Sequence, residues 1–292
     1  MMKIMKKEWM VTLTVFAAIG VFTACGKEEN AAAGAEADGK QIVNIGTVTN
    51  GYPTSYYDDD GNKTGYDVEV MRRVGEVLSD KYEFQWYDAE QDAIYTGLSS
   101  GKYDVALTNA YYTEERAQNY ELPKNPIGAS PAGLVVRKED AQIKTLEDAA
   151  TAGLKAAPHL AGDGNAYQYQ KYNEEHPDNP LDYSISDDPS CFTAGIQYVA
   201  EGRYDCILYP ATYYETLVTE ENGSLHQFAD QLSFNVYLPI DTYAVVAKGK
   251  TELADDISEV LGQLKEDGTL SEIAVQFYGF DPFDTNSSIY SE

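Results

Sequence analysis

Tyr103-Asp104-Val105-Ala106-Leu107-Thr108-Asn109-Ala110-Tyr111-Tyr112-Thr113-Glu114-Glu115-Arg116 is the stretch whose reading decides the fold. Asp104 to Leu107 reads as a short buried strand and Thr108 to Tyr112 as a loop; Thr113 caps a helix that opens with two acids. In an open α/β sheet, loops at the carboxyl ends of strands border a crevice, and unpaired helix-start N–H groups favour anions. Arg116, in the first turn of that helix, is placed to hold a carboxylate through two parallel charge-assisted bonds. Taken alone, it is better explained by a surface ion pair with Glu121 or a helix carboxylate, and the rest of the chain reverses that balance.

Outward from this stretch, the preceding chain supplies a strand at Gln41 to Val48 and a loop at Thr49 to Ser55. A hairpin follows around Gly61-Asn62, then a helix from Tyr66 to Leu78 and a strand from Lys81 to Tyr87. A further helix, Ala93 to Ser100, closes on Gly101 as its C-cap. This βαβαβ order predicts an α/β fold with a mainly parallel sheet flanked by helices. Beyond the proline- and glycine-containing passage Pro123 to Gly133, the strand Leu134 to Val136 marks a crossing into a second domain. The same grammar repeats there: a strand at Leu154 to Ala157, a loop at His159 to Gly164, helices at Asn165 to Glu175 and Cys191 to Glu201, and a strand at Asp205 to Tyr209. The strand Thr242 to Ala247 and the amphipathic helices Glu252 to Lys265 and Thr269 to Tyr278 return to the first domain. Two crossings make a hinge.

The 292 residues, 43% of them hydrophobic, suffice for two packed domains. A formal net charge of −27, from 48 acidic against 21 basic residues, excludes nucleic acid as a natural partner, because nothing would replace the phosphate counterions. Residues 1–25 read as a targeting segment: Lys3, Lys6 and Lys7, an apolar run from Trp9 to Phe22, and the small-residue site Thr23-Ala24-Cys25-Gly26. This resembles a lipoprotein signal, with Cys25 as the lipidated residue and Phe22 where that pattern favours leucine. A plain signal peptide or an anchor helix is the alternative. Residues 26–40 have no periodicity and read as a flexible tether. The mature protein is therefore expected outside the cytoplasmic membrane, anchored to its outer face. Cys191 and Cys206 are expected as buried thiols rather than a disulfide, since one opens a helix and the other lies mid-strand.

Further markers join the opening stretch: Pro53 with Gly61, Gly65-Tyr66-Asp67-Val68-Glu69, Leu98-Ser99-Ser100-Gly101-Lys102-Tyr103-Asp104, Gly202-Arg203-Tyr204-Asp205 and Asp267-Gly268-Thr269-Leu270. In their order and spacing the chain resembles the amino-acid-binding branch of the extracytoplasmic solute-binding proteins, the receptors of ABC importers. The resemblance spans about Ile42 to Phe283. It implies a type II periplasmic-binding-protein fold: lobe 1 from 41–135 with 240–285, lobe 2 from 136–239, a tail at 286–292, and two hinge strands between the lobes. It also implies a monomer that closes over a small amino-acid-like ligand and presents it to membrane permease subunits. Carried over by position, Arg116 clamps the ligand carboxylate, Asn109 and Tyr111 offer groups from the loop before it, and Tyr52 lies against the ligand side chain. Gly162 and Asp163 belong to the second-lobe loop that presents helix-start N–H groups, and Tyr209 lies at the second-lobe mouth.

The departures bear on the ligand. Where the family places an aspartate for the ligand ammonium, this chain has Pro210, and the early acidic position near Val48 is apolar. Asp163, Asp187, Asp188 or Asp241, or tyrosine faces among the 24 tyrosines, are the available substitutes. The implied ligand is thus an amino acid or related carboxylate, with cystine or an aromatic amino acid as candidates. The scattered His159, His176 and His226 give no metal-ligand spacing and are expected on loops or the surface; no cofactor motif or nucleophile elbow occurs. An enzyme on the same fold, such as a small dehydratase or cell-wall lyase, and a ligand-sensing subunit are the rival readings.

Overall fold

Hydrophobic periodicity sets the elements, and their order fixes where the cleft must lie. The computed structural model describes Glu36–Ala37, residues 39–284 and residues 286–290. The expected signal segment with Cys25, and most of the expected tether, lie outside the described residues. The chain runs β1 (Glu36–Ala37), β2 (Lys40–Val48), β3 (Tyr56–Tyr57), β4 (Lys63–Thr64), α1 (Tyr66–Val77), β5 (Tyr82–Ala89), α2 (Gln91–Ser100) and β6 (Val105–Tyr111). Then come α3 (Glu114–Asn119), β7 (Gly128–Arg137), α4 (Leu146–Thr151), β8 (His159–Leu160), α5 (Gly164–Glu175), β9 (Ile185–Ser186) and α6 (Cys191–Ala200). β10 (Cys206–Pro210), α7 (Ala211–Tyr214), β11 (Leu232–Val246), α8 (Thr251–Glu266) and α9 (Thr269–Tyr278) complete the fold.

One seven-stranded sheet carries everything else. β2 pairs in parallel with β5 and β6, as the βαβαβ order requires. β11 then runs antiparallel to both β6 and β7, and β10 runs antiparallel to β7. β7 and β11 are the long strands, ten and fifteen residues, and they pass from one hydrophobic core to the other. The first core packs α1, α8 and α9 over β2 and β6, with Ile45, Met71, Val105, Ile257 and Leu261 at its centre. The second gathers Leu134, Val136, Tyr169 and Leu208 on one face of β7 and β10, and Val135, Ile196, Ile207 and Tyr209 on the other. The two cores are the two lobes, and the two long strands are the hinge.

Several local expectations shift. The segment Thr108 to Tyr112 was expected as loop; strand β6 instead continues to Tyr111, because Thr242 and Tyr243 of β11 pair with Tyr111 and Ala110. At the end of the expected tether, Glu36 and Ala37 pair with Gln41 and Lys40, an edge hairpin that turns at Gly39 with φ 80°. The expected strand Leu154 to Ala157 is reduced to isolated bridges at Lys155 and Ala156. The expected hinge strand Thr242 to Ala247 begins ten residues earlier, at Leu232. His159, expected on a loop or the surface, is fully buried, its Nε2 within 3.0 Å of the Leu208 carbonyl oxygen. Cys191 and Cys206 are buried free thiols, and burial pushes the Cys206 thiol up to about 12.

The return of the chain to lobe 1 is written in α8, whose Leu253, Ile257, Val260, Leu261 and Leu264 recur at helical spacing and are all buried. Ile257→Ala is expected to cost about 2–5 kcal/mol of stability, measured as a lowered midpoint with unchanged slope in urea unfolding.

Candidate ligand-binding cleft

The cleft forms where the carboxyl end of β6 meets the start of α5. Thr113 caps α3 by accepting the Arg116 backbone N–H at 3.1 Å, which turns the chain and sets the Arg116 side chain over the end of β6. There Nη1 of Arg116 donates to the Tyr111 carbonyl oxygen, and the guanidinium lies 5.8 Å from the centre of the Tyr95 ring. Tyr95 is itself held by Thr108, hydroxyl to hydroxyl at 2.9 Å. Glu121, the alternative partner, pairs with Lys248 at 3.4 Å, and Arg116 makes no ion pair among the described residues. Arg116 also lines a cavity of about 360 Å³.

The opposite wall comes from the loop before α5. Asp163 is the N-cap of α5: its Oδ1 accepts the Asn165 backbone N–H at 2.6 Å and Asn165 Nδ2 at 2.9 Å. This helix start therefore already holds a carboxylate of its own. The loop was expected to offer N–H groups to an anion, and Asp163 was among the candidates for the ammonium; its carboxylate accepts the Asn165 N–H and makes no ion pair among the described residues. Gly162 lies in the same wall with φ 76°. Gly164 packs so closely on Tyr111 that an added Cβ would stand 2.4 Å from the Tyr111 Cβ, so the two lobes touch at the cleft floor.

Asn109, Tyr111, Arg116, Gly162 and Asp163 thus line one cavity. Tyr111 contributes its backbone, since its hydroxyl is buried and donates to Ser130 Oγ at 3.0 Å. Tyr52 is 72% exposed and borders an adjoining cavity of about 250 Å³ together with Thr54 and Glu90. The two cavities share Gln91, Thr108, Asn109 and Tyr213. Tyr209, expected at the mouth, is instead fully buried behind the wall, its ring 4.6 Å from that of Phe192, which faces the cavity. Strand alternation explains this: Ile207 and Tyr209 point to one core while Cys206 and Leu208 point to the other. Of the four aspartates weighed for the ammonium, Asp163 alone lines this cavity.

Sequence reasoning missed Gln91 and Asn165, which also line the cavity from the first turns of α2 and α5. The available signal was their position just after a strand-to-helix turn. Asn165 is buried, and its Oδ1 has no hydrogen-bond partner. His159 lies beneath the same wall; burial holds its imidazole below the usual range, with the Asp163 charge acting the other way.

A two-lobed α/β fold with Arg116 and Asp163 in the lining of one interlobe cavity has the architecture of a solute-binding protein. The chain belongs to the bacterial extracellular solute-binding proteins, family 3, whose model matches residues 43–280. It is a substrate-binding receptor that acts outside the cytoplasmic membrane, and its family binds solutes rather than transforming them. Among curated relatives, the L-cystine-binding protein TcyJ of Bacillus subtilis is 28% identical, covering 94% of this chain and 96% of the relative. The L-cystine-binding protein TcyA of the same organism is 27% identical over 94% and 98%. A solved structure from work on glutathione import through GshT and the cystine importer TcyBC of Streptococcus mutans is 29% identical, with a TM-score of 0.57 over 83% of this chain and 96% of that one.

The contact between Gly164 and Tyr111 leaves no space for a methyl group. Gly164→Ala is expected to cost about 1–3 kcal/mol through overpacking, read as a lowered melting temperature in the ligand-free protein.

Proposed function

We propose that the protein captures an amino-acid zwitterion between Arg116 and Asp163 and delivers it to the permease subunits of an ABC importer. The observation that carries this reading is the pairing of one unpaired guanidinium and one unpaired carboxylate across a single cavity, each supplied by a different lobe. A ligand carboxylate satisfies the free donors of Arg116, and its ammonium satisfies Asp163 and the orphaned Oδ1 of Asn165. Because the two charges sit on separate lobes, a zwitterion favours the closed arrangement by as much as it binds that state better. In this reading Asp163 replaces the aspartate that the family places where Pro210 stands.

The cleft continues past this couple into the chamber bordered by Tyr52, Thr54 and Glu90. A second polar chamber with its own carboxylate suits a ligand with a second polar head, and L-cystine, which the relatives TcyJ and TcyA are named for binding, has that form. The lobes are proposed as 41–135 with 240–285 and 136–239, and the protein is proposed to work as a monomer held at the membrane by a lipid on Cys25.

The test is a thermal-shift screen of the protein against amino acids, L-cystine, aromatic acids and quaternary amines, because a ligand that binds only the native state raises the melting temperature. The expected result is a shift with L-cystine or another zwitterion that disappears in Arg116→Ala, a loss of about 2–5 kcal/mol. Asp163→Asn is expected to weaken the zwitterion while sparing its N-acetylated analogue. Shifts confined to compounds lacking an α-ammonium would overturn the assignment.

A further inference from the structure

Lobe 2 adds to the cleft a surface that the charged couple does not use. Leu160, Phe192, Pro210 and Tyr213 line the cavity that also holds Arg116 and Asp163, and Tyr213 lines the adjoining chamber as well. Of the residues common to both chambers, Gln91, Thr108 and Asn109 come from lobe 1 and Tyr213 from lobe 2. Among the described residues, Arg116, Asp163 and Glu90 are the charged groups in the two linings. Where the chambers join, lobe 2 therefore supplies a ring rather than a charge.

The rings are set by the backbone around them. Phe192 stands in the first turn of α6, and the entry to that helix is pinned by Asp188: its carboxylate accepts the Ser190 N–H at 2.9 Å, and its carbonyl oxygen accepts the Cys191 N–H at 3.0 Å. Tyr209, fully buried at the end of β10, stacks on Phe192 with ring centres 4.6 Å apart and planes 27° apart. Tyr213, on α7, meets the same ring edge to face, at 5.4 Å and 86°. Stacked and edge-to-face contacts are the arrangements that aromatic quadrupoles favour, so each ring limits the orientations of the next. Tyr213 nevertheless stays 49% exposed, and core packing alone does not account for its place. A lone half-exposed tyrosine is ordinary; this one continues a row of rings from the core of lobe 2 to the junction of the two chambers.

Such a surface selects by what it lacks. Rings offer dispersion and sulfur–aromatic contact to a disulfide, thioether or aromatic group. A carboxylate laid against them gives up hydration and gains no partner, and Pro210, which has no backbone N–H, offers it no donor.

We propose that Phe192 and Tyr213 are specificity-determining residues of this cleft: their rings bear on the body of the ligand beyond its α-amino-acid head and select a sulfur-bearing or aromatic body over an anionic one. The proposal rests on the reading of this cleft as a zwitterion site and adds the class of side chain that the site accepts. Arg116 and Asp163 then recognise what all amino acids share, and the aromatic row recognises what distinguishes them.

The test measures affinities of L-cystine, L-methionine, L-glutamate and L-alanine by calorimetry, with competition for the weakest, in wild type, Phe192→Ala, Tyr213→Ala and Tyr213→Phe. L-alanine carries the head with almost no body and reports damage to the head site. Wild type is expected to bind L-cystine and L-methionine more tightly than L-glutamate. Phe192→Ala and Tyr213→Ala are expected to weaken L-cystine about tenfold and to leave L-alanine within about twofold. Tyr213→Phe, which keeps the ring, is expected to stay within about twofold for all of them. A merely structural role would weaken L-alanine and L-cystine alike, and that result would overturn the proposal. So would L-glutamate binding as tightly as L-cystine and L-methionine, or L-alanine and L-glutamate binding where the sulfur-bearing ligands do not; both outcomes leave the zwitterion reading standing. No binding by any of these amino acids would overturn both. Should Phe192→Ala fail to fold once Tyr209 loses its stacking partner, the two variants at half-exposed Tyr213 decide the matter.

Discussion

The antiparallel pairing of β7 with β11 is the constraint on which the rest of the molecule depends. It runs from Leu232 opposite Arg137 to Thr242 opposite Gly128, with a register shift between Val236 and Leu238. One end of β11 continues onto β6, and the other edge of β7 carries β10, so each lobe hangs its sheet on this two-stranded ribbon. A ribbon bonded over its whole length resists stretching and shear. It can still bend and twist where a bulge interrupts the ladder. The bulge at Val236 to Leu238 is such an interruption of this ribbon, whereas the shift between Tyr243 and Val245 lies where β11 pairs with β6.

The same ribbon explains which side chains meet. Because β11 carries β6 onward to Tyr111, the Tyr111 carbonyl is presented to Arg116, and the Tyr111 side chain is driven inward to Ser130 and against Gly164. The guanidinium is thus oriented by backbone rather than by a carboxylate, which keeps its charge available to a visitor. Across the cleft Asp163 spends one oxygen on the start of α5 and keeps the other. Each wall is anchored by hydrogen bonds that leave its net charge uncancelled.

Local rules made much of this legible and tertiary pairing hid the remainder. The cap at Thr113 and the placement of Arg116 follow from short-range chemistry, and so do Gly101 as a left-handed C-cap with φ 77° and the buried stripe of α8. The extension of β6 through Thr108 and Asn109 was hidden, because polar residues in succession read as loop until a partner strand takes their hydrogen bonds. The first half of β11 was hidden as well: most of Leu232 to Asp241 is half-buried, which leaves no alternation to detect. In the cleft, Tyr209 was misplaced by strand parity, while Asp163 was found by position, both in the loop before α5 and among the candidates for the ammonium. Only the structure shows that its carboxylate turns back onto its own helix.

The surface charge carries a consequence for how fast ligands arrive. The chain bears a formal net charge of −27, yet the cavity mouth offers one positive and one negative group. A dipolar visitor with no net charge feels little of the long-range field, so its capture rate should be nearly indifferent to ionic strength. A dianion of the same size must climb a repulsive potential before it reaches Arg116, and added salt would lower that barrier. The acidic exterior thereby acts as a kinetic filter that operates before any contact in the cleft is made.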